Sequence, residues 1–384
     1  MSDRLVTECV ESRRALDILD ETTTAFLGIV PTAISLKDEW SDTDDKNKRL
    51  VTTIYDNHIL IDQLLEGTFD VRGLISSSSN AVRSALEARQ LSLIDFAEIV
   101  VSQHVGCVFG RWDIRFATGK RKPPQLPDPF DPLPVCPPGM LQRQDGIPAR
   151  PEDISRDYPM SIDWDGILAD DSEHEDDIVR RVRGVSEVIW KDRAEAIEKE
   201  ACEILDVREL RDYFRKPGND GFWMAHVKRY SKSRRKAPIY WYLRSAKGNY
   251  GLWLYYHRLD KDILFKALLN YVEPKIRLEE DRLKTTRKRR ESAGSAGKAA
   301  KQLERDIDQQ EDFVSELHDF KDKLKRAADL HLEPDLNDGV VLNIAPLWEL
   351  VPWKEAKQYW EELLEGKYEW SSIGKQLCEK GIVK

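Results

Sequence analysis

GFWMAHVKRYSKSRRKAPIYWYLRSAKGNYGLWLYYHRL, residues 221–259, holds no Asp or Glu. Acids are 69 of the 384 residues, so chance would place about seven in such a window. The stretch does hold Lys228, Arg229, Lys232, Arg234, Arg235, Lys236, Arg244, Lys247 and Arg258. Between them stand Phe222, Trp223, Tyr230, Tyr240, Trp241, Tyr242, Tyr250, Trp253, Tyr255 and Tyr256. Positive charge and rings concentrated in an acidic chain suggest a surface for a polyanion. The net charge of −9 argues against a protein that coats nucleic acid indiscriminately, so contact must come from a local patch.

Within the stretch, Ile239 to Arg244 and Tyr250 to His257 alternate between two sets of side chains. Ser245 to Asn249, with Gly248, is a turn of hairpin type. The spacing predicts a β-hairpin that buries Ile239, Trp241, Leu243, Leu252 and Leu254. A basic loop, Lys228–Lys236, leads into it.

Working upstream, a helix is expected from Ile178 to Leu205, with Trp190, Ala194, Ile197, Ala201 and Ile204 on one face. Asp206 then offers an N-cap, with Glu209 at the reciprocal position of a capping box, to a short helix bearing Val207, Leu210 and Phe214. Lys216-Pro217-Gly218 stops it. Before this, DWDGILADDSEHEDD is strongly acidic. Asp163, Asp165, Asp170 and Asp171 read either as a solvated loop or as a carboxylate cluster for a divalent metal, though not in an EF-hand register. Asp176 and Asp177 suit a helix start. Residues 119–160 are dense in proline and read as an extended strap or linker.

Residues 1–118 read as helical, with Leu50, Ile54, Ile61, Leu64 and Leu65 at helical spacing and Ser76–Ser79 as a polar break. A second stripe runs from Ala97 to Val108 and includes His104, read as a core histidine against the alternative of a catalytic base. Downstream, Leu264, Leu268, Tyr271 and Leu278 fit one helical stripe, and Leu303, Ile307, Val314, Leu317 and Leu324 an a/d pattern. KTTRKRRESAGSAGKAA between them reads as the tip of an antiparallel helical hairpin. Arg287, Lys288, Arg289 and Arg290 there are either solvated or contacts for backbone phosphate. In the tail, Asn337-Asp338-Gly339 reads as a turn and Val340–Ile344 as a short strand. Trp348, Trp353, Trp360 and Trp370 read as packing anchors rather than base-stacking platforms.

The fold class is therefore α+β, predominantly α. Its parts are a helical region (1–118), the proline-rich strap (119–160), and a small α/β region with the hairpin (161–260). A helical hairpin (261–333) and a strand–helix segment (334–384) complete it. Cys9, Cys107, Cys136, Cys202 and Cys378 form no C-x-x-C pair, which speaks against zinc and for a reduced, cytoplasmic protein. There is no signal peptide and no apolar run near 18 residues, so no membrane is expected.

Catalytic motifs are missing. There is no G-x-x-x-x-G-K-[ST] loop and no G-x-S-x-G elbow. The Asp/Asn-Pro-Pro-aromatic tetrapeptide of amino-methyltransferases is absent too. Pro123-Pro124 follows Lys122, and Pro137-Pro138 precedes Gly139. There is no Gly-rich strand–loop–helix for S-adenosylmethionine. No catalytic residue, metal ligand or cofactor site is assigned to this chain. The basic stretch reads as binding: cations neutralise phosphates, and rings stack on an extruded base.

HVKRYSKSRRKAPIYWYL followed by LWLYYHRLDKDILFKALLNYVEPKI resembles the C-terminal part of large N6-adenine DNA methyltransferases. These are the methylases of BREX and DISARM-type phage-defence systems and their type IIG relatives. HVGCVFGRWDIR resembles the segment after their methylase core, DGVVLNIAPLWELVPW their extreme C-terminus, and IDQLLEGTFDVRGL a helix near the end of their catalytic half. The resemblance implies spacer helices and a target-recognition region, with the catalytic domain lacking. The expected function is a DNA-recognition module of a split methylase in a restriction-modification or phage-defence system. Its expected partners are double-stranded DNA and a separately encoded methylase subunit, which would carry the S-adenosylmethionine. The alternatives are a non-catalytic subunit docking on other defence proteins, and a metal nuclease using residues 163–177. The expected DNA contacts are Lys228, Arg229, Tyr230, Lys232, Arg234, Arg235 and Lys236, joined by Arg244, Tyr255, Tyr256 and His257.

Overall fold

The computed structural model describes residues 2–69, 91–123, 132, 134–218, 220–232, 235–292 and 297–383, with backbone alone at 2, 66–69, 232 and 235. Ser76–Ser79 and Arg234 lie outside the described residues. The chain forms two compact units, Met1–Ile162 with Arg181–Tyr213 and Asp163–Arg180 with Phe214–Lys384. The architecture is mostly helical with a small antiparallel sheet, the α+β class expected.

In the first unit, α1 (Ser2–Asp17) packs against α2 (Leu36–Phe69), with Asn57 donating to Glu8 at 3.1 Å. Helix α3 (Leu93–Val108) starts at Ser92, which forms a capping box with Asp95. Apart from Glu98, every residue from Phe96 to Val108 is buried, the signature of a helix enclosed on all sides. Gln103 at its centre holds both backbone groups of Ile29, and Ser102 donates to Glu21. Burial pushes the His104 imidazole down to about 4, so it sits neutral in the core.

HVGCVFGRWDIR ends that helix and begins the short α4 (Ile114–Ala117). Asp113 caps it and gathers Arg115 at 2.7 Å and Arg121 at 2.8 Å. Burial alone would raise the Asp113 carboxyl, but the two arginines hold it below its usual range.

The stretch expected as one helix from Ile178 to Leu205 is two. Helix α5 (Ile178–Trp190) and α6 (Ala194–Ile204) are separated by a 3₁₀ turn in which Lys191 has φ +54°. No Gly or Pro marks that break. Even so, Trp190, Ala194, Ile197 and Ala201 share a core with Ile29, Leu36, Phe96, Ile99 and Val100. The backbone at Asp206 is not that of the expected N-cap. Asp206 ends α6 with φ +51°, Val207 N–H donates to Cys202 O, and Asp206 N–H to Glu203 O. That is a Schellman ending with Asp in the position usually held by Gly. The next helix, α7 (Leu210–Arg215), starts later than expected.

The second unit is built on a three-stranded sheet ordered β1–β5–β4, with β1 (Ile167–Ala169), β4 (Tyr240–Arg244) and β5 (Gly251–Tyr255). Between β1 and β4 in sequence come α8 (Phe222–Arg229) and a two-stranded ribbon, β2 (Ser231–Lys232) and β3 (Arg235–Lys236). The expected basic loop is therefore a helix end plus a ribbon. Tyr240 pairs with Tyr255 and Arg244 with Gly251, which fixes the hairpin register.

After the sheet, α9 (Ile263–Lys266) runs through a π-helical turn, Ala267–Val272, into α10 (Glu273–Ser292). The π turn resets the phase of the stripe. Ile276 and Leu283 are buried, while Leu278, expected inside, is 41% exposed. Helix α11 (Lys298–Ala328) returns antiparallel, tied by Lys321–Glu273 and Arg287–Glu311.

The segment expected as a strand is helix α12 (Val340–Ile344). Gly339 (φ +89°) starts it, Asn343 donates back to Gly339 O, and Leu342 packs with Ala345, Leu363, Ile373 and Leu377. Here packing overrides the β-propensity of the Val-Val pair. Helices α13 (Lys354–Leu364) and α14 (Ser372–Glu379) finish the chain. Of the four tail tryptophans, Trp353 is buried, Trp348 and Trp360 are half-buried, and Trp370 is 65% exposed. Among the described residues, no helix is long and apolar enough to cross a membrane.

Candidate nucleic-acid interface

Both faces of the hairpin are covered. Ile239, Trp241, Leu243, Leu252 and Leu254 are buried as expected. The opposite face, Tyr240, Tyr242, Trp253 and Tyr255, is buried as well. Trp253 stacks on Tyr242 at 4.5 Å and meets Phe214 and Phe222 edge-on. Such edge and offset contacts add to what burial contributes.

His226 ties α8 to this sheet. Its Nε2 accepts from both Ile239 N–H (2.8 Å) and Tyr240 N–H (3.1 Å), so that nitrogen carries no proton. A row of rings continues from it: Tyr230 at 4.5 Å on one side, and on the other Tyr240 at 4.8 Å, then Tyr255, then His257.

The far end of the hairpin is pinned by Glu316 of α11. Its carboxylate accepts from the Ser245 hydroxyl, Lys247 N–H (2.8 Å), Asn249 N–H (3.3 Å) and Asn249 Nδ2 (2.7 Å). Burial would raise this carboxyl, but those donors hold it below the usual range. Gly248 lies in the left-handed region (φ +79°), directly beneath the Arg244 guanidinium.

The basic residues split between the two ends. Lys228 is exposed at the end of α8, and Arg229 and Tyr230 beside it are half-buried. The backbones of Lys232 and Arg235 pair in the ribbon. Lys236 reaches Glu355 at 2.7 Å, both side chains about a third exposed. Burial would raise the Glu355 carboxyl, but the bond from Lys236 holds it low. His257 is exposed at this same end, because Tyr255 pairs with Tyr240. Arg244 stands at the opposite end, about 13 Å away at the rise of a strand. It folds over the turn and donates to Lys247 O at 3.2 Å.

Tyr255 and Tyr256, expected contacts, are 2% and 3% exposed. The Tyr256 hydroxyl donates to Leu336 O at 2.9 Å. Their rings are spent on the core. Sequence reading missed His226, Glu316 and Glu355. Their partners lie far off in sequence or on another element, which leaves no local signal.

The acidic segment is tied down piecemeal. Asp170 pairs with Arg215, Asp171 and Glu279 with Lys275 (3.1 and 2.9 Å), and Glu173 with Arg282. Asp163 accepts from Asp165 N–H, and Asp177 from Arg180 N–H at the start of α5. Among the described residues, no group of three or more His, Cys, Asp or Glu side chains is placed to hold a metal ion. The described strands of the sheet pair antiparallel, and β1 leads into the acidic segment.

No protein-family model matches the chain. It is similar to the adenine-specific methyltransferase BrxX of Escherichia coli O9:H4 (strain HS), 28% identical over 202 residues, 49% of this chain and 16% of that protein. It is also similar to the adenine-specific methyltransferase PglX of Lacticaseibacillus casei (strain Zhang), 29% identical over 138 residues, 36% of this chain and 11% of that protein. The chain is thus related in part to adenine-specific methyltransferases, and the likeness spans a sixth or less of either relative's length.

Proposed function

We propose that this chain is the DNA-recognition module of a split adenine-specific DNA methyltransferase in a phage-defence or restriction-modification system. The observation that carries the reading is the acid-free stretch. Its rings fold into a core and leave Lys228 exposed beside it, in a chain related to adenine-specific methyltransferases. Lys228, Arg229, Lys232, Arg234, Arg235 and Lys236 are the proposed DNA contacts. His226 and the aromatic row hold that segment in place. Methyl transfer and the S-adenosylmethionine site belong to a separate methylase subunit.

The test is duplex binding followed across a salt series. Each phosphate neutralised contributes about −0.9 to the slope of log affinity against log salt. Arg234→Ala with Arg235→Ala should flatten the slope by about 2. A flat response in the unaltered protein would sink the proposal. A second reading, a non-catalytic subunit docking on other defence proteins, is favoured by Trp370, 65% exposed on the C-terminal segment. Co-purification with a partner and no DNA affinity would select it.

A further inference from the structure

The helical arm is electrically polarised along its length. Residues 284–310 hold eight basic and four acidic side chains, a net +4 in a chain of −9. The arm's root is the reverse. There Lys275 is buried among Asp171, Glu173 and Glu279. Near the tip, Arg287 and Arg290 are committed to Glu311 and Glu304 across the two helices. Lys288, Arg289, Lys298 and Lys301 are exposed and make no ion pair within 4 Å among the described residues.

No large hydrophobic side chain is exposed anywhere in 284–292 or 297–310. Protein-binding surfaces centre on desolvated aromatic or aliphatic anchors, which this tip lacks. A surface of charge without apolar anchors instead fits a phosphate backbone, where affinity comes from counterion release. The tip is also held out at a fixed distance. From Lys275 to Arg289 the helix rises about 21 Å, the length of about six base pairs.

We infer that the arm tip is a second, sequence-independent contact for the phosphate backbone of duplex DNA, formed by Lys288, Arg289, Lys298 and Lys301. This rests on the DNA-binding reading above and extends the footprint beyond the sheet. The cross-helix pairs of Arg287 and Arg290 keep the two helices together so that their outward neighbours can face the backbone.

The test replaces all four residues by glutamine, which keeps helix propensity and leaves both cross-helix pairs intact. Thermal melting first checks that the variant folds as the unaltered protein does. A variant that misfolds is replaced by Lys288→Gln with Arg289→Gln alone. On a duplex of 30 base pairs, affinity at low salt should fall at least tenfold and the salt slope should flatten by about 2 to 4. On a duplex of 10 base pairs the variant should bind as the unaltered protein does. Equal affinity and equal slope on the long duplex would overturn the inference while leaving the sheet-borne reading in place. Failure of the unaltered protein to bind any duplex would overturn both. Tighter binding of polyglutamate than of duplex to the unaltered protein would assign the tip to an acidic protein and overturn it as well.

Discussion

The β4–β5 hairpin and the basic segment before it are neighbours in one acid-free stretch, yet the fold treats them oppositely. From Tyr240 to Leu243 and from Leu252 to Tyr255, no residue is more than 2% exposed. In the segment before it, Lys228 is exposed, and the Lys236 side chain is 35% exposed and pairs with the carboxylate of Glu355. In composition the rings and the charges look like one mixed patch. In space the rings form a core, while Lys228 and Lys236 lie outside it. Under the proposed function, cations rather than rings carry the recognition, and the rings act as their scaffold.

This contrast makes the largest stability effect an aromatic one. Trp253→Ala empties the centre of the ring cluster and should cost about 3–5 kcal/mol, read from the urea midpoint. A cost under about 1 kcal/mol would mean that the rings are not core. Glu316→Ala comes next. It strips the turn of a charged acceptor and leaves Lys247 and Asn249 N–H groups without it, for about 2–3 kcal/mol.

A smaller effect is set by pH. His104 has a folded value of about 4 against 6.5 in the open chain, so the unfolded state binds the proton first. Stability is complete above pH 6.5 and is lost as pH falls towards about 4, at up to about 1.4 kcal/mol per pH unit. By pH 5 the loss should reach about 2 kcal/mol. His104→Gln should flatten that slope, whatever it does to stability at pH 7. The smallest change belongs to the basic segment. Lys236→Ala breaks a pair a third exposed on each side and should cost about 0.5 kcal/mol or less. A loss above about 2 kcal/mol would place the basic segment in the core and erase the contrast.

Much of the fold was legible locally. The hairpin could be read because its turn, Ser245 to Asn249 with Gly248, is flanked by two runs of the right period. The helical arm could be read from its a/d spacing. What could not be read are features with no local signature. The π turn shifts the phase that would have buried Leu278. The left-handed Lys191 divides a pattern that looks continuous. Val340–Ile344 has a strand's composition and folds as a helix, with Leu342 packed into the C-terminal core. In the candidate site, the charged residues announced themselves, but their arrangement did not.

The sequence by itself determined the class of fold, the hairpin and the concentration of positive charge, because periodicity and turn chemistry act over a few residues. Only the tertiary structure decided which rings are hidden, which cations are paired and where the acids go. Those outcomes depend on partners far apart in the chain. Lys236 meets Glu355, Ser245 meets Glu316, and Asp171 meets Lys275. Whether an aromatic or a charge faces water is set by the element that packs over it, and no window of neighbouring residues contains that element.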